Sequence, residues 1–275
     1  MTSWQLITSY WRLNIPILVA IVLLIFVHLK GNGYRLSRKS LIFFSGIVLL
    51  FLVTFSSLNF LGQSYLFSAH MIQHIVLLLI VPPLLLAGTD SSFLERIISK
   101  HGVRKVLSIL FYPVIAWFFG IALMWITHIP GIYGSMKNFP ILHIITMFLL
   151  LIAGLIFAWP VFTPIQWRKI SPLQSVLYLF TACVGCTVLG ILITFAPVGT
   201  YTTYLTGQNA TVLNLIHLKL GISPNDDQQT GGLIMWVPAC IIYITDIMIT
   251  LAKWFRTSDN EEKQVKLSIS TTNKI

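Results

Sequence analysis

The stretch "SAHMIQHIVLLLIVPPLLLAG", residues 68–88, joins two histidines to an apolar run long enough to cross a membrane. About 20 apolar helical residues span the roughly 30 Å hydrocarbon core of a bilayer. The rest of the chain has the same character, with 56% hydrophobic and only 9% charged residues. The sequence therefore predicts an integral membrane protein and excludes an ordinary soluble globule.

Further runs of this kind predict an all-α bundle of about seven transmembrane helices. No small-residue cleavage site follows the first run, which favours a span over a cleaved signal peptide. The polar composition of the last residues is typical of disorder. We therefore predict one transmembrane domain, 1–256, and a disordered cytoplasmic tail, 257–275. The predicted spans lie near 14–29, 40–61, 65–88, 108–127, 139–162, 173–196 and 230–252.

The distribution of positive charge predicts the orientation of the bundle. Lysine and arginine concentrate in cytoplasmic loops because they resist translocation. Of the 18 such residues, all but Arg12, Lys137 and Lys219 fall on one side of the predicted spans. The amino terminus is therefore expected outside and the carboxyl terminus inside. The net charge of +10 fits membrane lipid as a partner, and we infer no nucleic-acid partner from it.

Four histidines fall near the outer ends of three predicted spans. His70 and His74 lie in the first turns of the third span, and their i, i+4 spacing puts them on one helix face. His128 follows the fourth span, and His143 lies in the first turn of the fifth. Polar residues inside a membrane are costly and tend to mark function. We therefore predict a histidine site at the outer end of the bundle.

The residues around these histidines favour copper as the bound metal. Met147 lies one turn below His143 on the same helix face. Imidazole binds several transition metals, whereas a thioether is soft and favours Cu(I). Zinc stays open, because Asp226 and Asp227 are predicted outside and carboxylates complete many zinc sites.

Simpler roles compete with these assignments. His70 and His74 are alternatively hydrogen-bond partners between helices, and Met71 is expected to be a packing residue. Cys183 and Cys186 form a CxxC deep inside a predicted span, where small-residue packing is the expected role and a Cu(I) relay is the alternative.

Four ordered motifs carry a resemblance to a known family. The chain resembles the CtaG family of cytochrome c oxidase assembly factors, of the caa3 type, over about residues 40–255. This resemblance implies a multi-span protein of the bacterial plasma membrane that is not an enzyme and supports formation of active oxidase. The motifs are "SAHMIQHIVLLLIVPPLLLAG", "WITHIPGIY", "ILHIITMFLLLIAGLIFAWPVF" and "SPNDDQQTGGLIMWVP".

The resemblance also implies which residues form the site. The matched positions are the four histidines and Asp227. One departure is Met147, which stands where relatives often have a second histidine; it keeps a soft copper ligand and weakens a zinc reading. The candidate metal ligands are His70, His74, His128, His143, Met147 and Asp227.

The expected function is an assembly factor that supplies or holds copper at the outer face for the oxidase catalytic subunit. Its expected partners are that subunit and an extracytoplasmic copper chaperone. Three alternatives stay open. One is a haem-binding membrane oxidoreductase with histidine axial ligands. Another is a seven-span zinc hydrolase using a metal-activated water. The third is a copper transporter.

Overall fold

A computed structural model describes residues 10–11, 13–31, 37–138, 140–201 and 209–272. Every regular element in these ranges is helical. In chain order the helices are α1 (Ile15–Gly31), α2 (Arg38–Phe55), α3 (Ser57–Ser64), α4 (Phe67–Gly88), α5 (Ser91–Ile98), α6 (His101–Leu110), α7 (Pro113–Thr127), α8 (Pro130–Asn138), α9 (Pro140–Phe162), α10 (Pro172–Thr194), α11 (Ala210–Asn214) and α12 (Pro224–Thr272).

Five of the described helices, α2, α4, α9, α10 and α12, are long and apolar enough to cross a membrane. The pair α6 and α7 gives a sixth span if the two helices are counted together, although they are bent by 64°. Helix α1 is apolar but shorter. The architecture is therefore that of a helical membrane protein. The predicted seven spans require both α1 and the bent pair to cross.

Two predicted spans are interrupted in the structure, each for a local reason. The run 40–61 breaks at Ser56, whose extended backbone ends α2 and whose hydroxyl accepts a hydrogen bond from the Leu58 amide, capping α3. The run 108–127 breaks before Pro113, because proline disfavours helical backbone in the residue before it. Tyr112 accordingly has extended backbone.

The last helix extends into the segment that was predicted as a tail. Helix α12 continues to Thr272, and the disorder and the cytoplasmic side of 257–275 stay predictions. No glycine or proline follows Pro238 in the sequence, so the usual helix stop signals are missing. Glutamate, lysine and glutamine in this stretch are good helix formers.

Helix α4 contains a π-helical turn, Val76–Ile80, just before Pro82 and Pro83. Proline has no amide hydrogen to give to the carbonyl four residues earlier, and a π turn absorbs this break. Gly154 of α9 packs against it: a Cβ there would lie 2.7 Å from the Leu78 oxygen. The absence of a side chain at Gly154 therefore lets α9 approach the opened backbone of α4.

The connectivity gives the bundle two distinct ends. We call the end that holds the beginnings of α4 and α9 and the close of α7 the histidine end. The opposite end, with the loop 163–171, is the basic end.

Helices α10 and α12 pack closely, since a Cβ on Gly190 would lie 3.0 Å from the Gly232 oxygen. Small residues commonly allow such close approach in membranes.

Candidate functional site

The four predicted histidines lie side by side at the histidine end. Ring centroids are 6.1 Å apart for His143 and His70, 4.3 Å for His70 and His74, and 4.8 Å for His74 and His128. Each side chain is only 2–6% exposed. Three helices thus bring together residues that are far apart in sequence. Their role as metal ligands stays a prediction.

A methionine that the sequence assigned to packing joins this row. Met71 is fully buried, and its Sδ lies 3.2 Å from Nε2 of His128. The other ring nitrogen, Nδ1, lies 2.6 Å from the Met124 carbonyl oxygen. A carbonyl oxygen can only accept, so Nδ1 carries the hydrogen and donates it.

The protonation of His128 decides what faces the sulphur. His128 follows the last residue of α7, and burial lowers its pKa to about 4, against a smaller opposite effect of the Met124 carbonyl. The ring is therefore neutral at pH 7, and Nε2 presents a lone pair to the Met71 thioether. Two electron-pair donors 3.2 Å apart are close enough to bind one cation, since zinc–histidine and zinc–thiolate distances, for comparison, are about 2.0 and 2.3 Å.

An amide network that the sequence analysis missed holds His143. Its Nε2 lies 3.1 Å from Oδ1 of Asn59, which also accepts a hydrogen bond from Nε2 of Gln73 at 3.0 Å. Gln73 Nε2 also donates to the Val53 carbonyl at 3.0 Å. The network links α2, α3, α4 and α9. The signal in the sequence was an amide within an apolar run, which is costly unless it is satisfied.

Asp227 lies beside the histidine helix and caps it. Its carboxylate accepts hydrogen bonds from the Phe67 and Ser68 amides, at 2.6 and 3.0 Å, and from the Ser68 hydroxyl. A negative charge is stabilising at a helix amino terminus, where the first amides lack partners. These bonds engage both carboxylate oxygens. The structure therefore favours a positioning role for Asp227, and its ligand role stays a prediction.

Met147, the candidate ligand one turn from His143, has mainly apolar neighbours in the structure. It belongs to the apolar core and lines a small cavity with Ile17, Ile21, Leu50 and Leu77. It shares a helix face with His143, but its surroundings are the side chains of α1, α2 and α4. Its ligand role also stays a prediction.

The described residues just after α10 contact the histidine end. The Tyr201 hydroxyl donates to the His128 carbonyl at 2.7 Å, and Gln228 Nε2 donates to the Ala196 carbonyl at 3.0 Å. His217 Nδ1 lies 2.6 Å from the Ile222 carbonyl oxygen. His217 therefore anchors the turn after α11 and is not part of the histidine row.

The row of histidines is not a ready-made chelate. Within the described part of the chain, no three His, Cys, Asp or Glu side chains are grouped to hold one metal ion. The rings follow one another in a line. The close contact of His128 is with a thioether, a donor outside that set. The donor chemistry therefore fits a soft cation held by nitrogen and sulphur better than a tetrahedral zinc site.

The cysteines contact each other across α10 and α12. Cys183 Sγ lies 3.1 Å from Cys240 Sγ, and Cys186 Sγ lies 3.1 Å from the Met235 carbonyl oxygen. The CxxC motif is thus divided, because Cys183 and Cys186 have different partners. This arrangement favours helix packing over joint metal binding by the motif.

Fold and site together define a helical membrane protein with a buried histidine and thioether cluster at one end. The family model for the cytochrome c oxidase caa3 assembly factor (Caa3_CtaG) matches residues 20–257. The chain belongs to this family, as its motifs predicted, and the oxidase is accordingly its partner in assembly. No curated protein and no solved structure matches the chain significantly.

Proposed function

We propose that this assembly factor holds Cu(I) at the histidine end as cargo for the oxidase catalytic subunit. The observation that carries the proposal is the 3.2 Å approach of Met71 Sδ to Nε2 of His128. A thioether beside imidazoles is a donor set that selects Cu(I). In this proposal Met71 is the thioether ligand, a role that the sequence predicted for Met147.

The protein's own contribution is to hold the donors in position. His128 is oriented by its Nδ1 hydrogen bond to the Met124 carbonyl, and His143 by the Asn59 amide. Asp227 fixes the first turn of the helix that carries His70 and His74. Such outer partners set ring orientation and raise ligand basicity in metal sites. Copper here would supply no chemistry of its own; it is the substrate to be transferred.

The proposal includes seven spans in the bacterial plasma membrane, with the amino terminus outside and the histidine end at the outer face. The asymmetry of lysine and arginine supports this orientation. The donor of copper would then be an extracytoplasmic chaperone. A reporter fused after Lys274 should be cytoplasmic, and one in the loop 197–229 external. If the labelling were the opposite, the histidine end would face the cytoplasm, and the proposal would be wrong.

The decisive experiment compares the two methionines, Met71→Leu and Met147→Leu, in purified protein. Both changes nearly conserve volume in a buried apolar setting and should cost less than about 1.5 kcal/mol of stability. Met71→Leu should weaken Cu(I) binding at least about tenfold, the lower bound for losing even an outer partner of a metal site. Met147→Leu should leave it unchanged.

Competition with a chromogenic Cu(I) chelator measures the affinity, and an absorption spectrum of the same sample detects haem. Equal effects of the two substitutions would contradict the choice of Met71. If the purified protein carried haem or bound no Cu(I), the proposal that Cu(I) is the cargo would be wrong.

A further inference from the structure

A second site lies far from the histidines, in a groove at the basic end. It is a cavity of about 660 Å³ between the start of α7, the loop 163–171 and the first half of α10. Its walls and mouth differ in chemistry. The walls are formed by Val114, Trp117, Leu177 and Thr181, and the mouth by Arg168 and Lys169.

The walls of the groove are apolar and open to the outside of the bundle. Val114 is 56% exposed and Leu177 is 64% exposed. On α10 the groove runs from Gln174 to Thr181, which is two turns or about 10 Å at 1.5 Å per residue. A slot of this shape, directed from the membrane surface toward its interior, fits a hydrocarbon chain.

The mouth is shaped by an unusual backbone conformation at Arg168. Its φ is +61°, and among the described residues it is the one non-glycine with positive φ. Side chains disfavour this left-handed region, so the surrounding fold must impose it, and such outliers often mark functional positions. The conformation places the guanidinium carbon 5.4 Å from the centroid of the Tyr112 ring. The charge of Arg168 is thereby held at the entrance of the groove.

Lys169 adds a second positive charge at the mouth. Burial lowers the pKa of Lys169, and repulsion by Lys253 lowers it further. In the part of the chain that the structure describes, neither Arg168 nor Lys169 forms an ion pair; the salt bridge found there joins Lys39 to Asp90. Among the residues that the structure describes, Arg168 and Lys169 thus stand at the mouth without a carboxylate paired to either of them.

We propose that this groove binds one anionic phospholipid, with its phosphate on Arg168 and Lys169 and an acyl chain between α7 and α10. Charge complementarity selects the headgroup, because a zwitterionic lipid would bring its own cation to a positive mouth. The apolar length selects a lipid over free phosphate, which would leave the walls of the groove uncovered. Basic pockets between membrane helices are known to bind anionic headgroups.

The test is native mass spectrometry of the full-length protein in detergent with added phosphatidylglycerol or phosphatidylcholine. The wild type should bind phosphatidylglycerol about 25-fold more tightly than the double variant Arg168→Gln with Lys169→Gln, since each basic residue contributes roughly fivefold. The matched control is Lys100→Gln with Lys105→Gln, which removes two exposed charges near the same end. This control should keep wild-type binding.

A third variant, Thr181→Trp, fills the groove at an exposed position and leaves both charges in place. It should also lose phosphatidylglycerol, whereas a headgroup-only site would retain it. Inorganic phosphate at millimolar concentration should not displace the lipid. The proposal is overturned if the two lipids bind equally, if the control loses binding as the double variant does, or if Thr181→Trp binds normally.

Discussion

The histidine end and the basic end handle their polar groups in opposite ways. At the histidine end the imidazoles are 2–6% exposed, and hydrogen bonds to carbonyl and amide oxygens orient His128 and His143. At the basic end Arg168 and Lys169 stand at the mouth of an open groove. The difference matches the ligands that we propose for the two ends. Buried nitrogen and sulphur donors suit a desolvated soft cation, whereas surface charges attract an anion.

The largest expected effect comes from removing the centre of the histidine row. His70→Ala with His74→Ala should reduce Cu(I) affinity more than about 100-fold, beyond the 10–100-fold typical of outer partners. Oxidase maturation should be lost while the protein still inserts in the membrane. The measurements are Cu(I) affinity of the purified variant and oxidase activity in cells. His101→Ala, an exposed histidine of α6, is the control. Wild-type affinity in the double variant would remove the row from the mechanism.

A smaller effect should follow Asp227→Asn, which distinguishes capping from ligation. The amide keeps one acceptor oxygen, so the hydrogen bond from either the Phe67 or the Ser68 backbone amide is lost, together with the negative charge. A capping role predicts a loss of about 1–2 kcal/mol in the stability of the metal-free protein, and about a tenfold loss of Cu(I) affinity. Thermal unfolding without metal measures the first. Asp226→Asn is the control, since Asp226 caps its own helix through Ser223. Unchanged metal-free stability would favour the ligand role instead.

The last prediction is that a change at the basic end has no effect at the histidine end. It tests whether the two ends are independent. Arg168→Gln with Lys169→Gln should leave Cu(I) affinity within about twofold, because distant sites without shared partners behave additively. Helix α9, which connects the ends, has 23 residues, or about 34 Å. The same chelator competition measures the affinity. A large change would mean that lipid at the basic end controls the histidine site.

The apolar runs predicted the helices well. Where a predicted span is interrupted, a local residue such as Ser56 is the cause. Hydrophobicity alone cannot show that Ser56 caps a new helix, because one hydroxyl hardly alters the mean of a long apolar run. The end of α12 illustrates the converse case. A polar composition is typical of disorder, yet a helix that is already formed continues through good helix formers until a stop signal.

The sequence predicted that the four histidines would lie together and included Asp227 among the candidates, but it did not show the neighbours of either Met71 or Met147. The i, i+4 spacing and the helix ends predicted that His70, His74, His128 and His143 would meet. Met147 shares a helix face with His143, but an apolar helix face is more than 100° wide. The part of this face that carries Met147 packs against α1 and α2 in the apolar core. The contact of Met71 with His128 could not be predicted for the same reason. The position of a residue around its own helix does not show which neighbouring side chain it contacts.

The cap on α4 has a consequence for how the chain is made. Asp227 lies 160 residues after Phe67, and at about 5–20 residues per second it leaves the ribosome roughly 10–30 s later. Until then the first amides of the helix with His70 and His74 lack their carboxylate. The donors therefore reach their final positions only after the last span is synthesised and inserted. A nascent chain released at residue 222, which lacks all of α12, should enter the membrane yet bind Cu(I) at least about tenfold more weakly than the full chain. Copper loading would then wait until synthesis is complete.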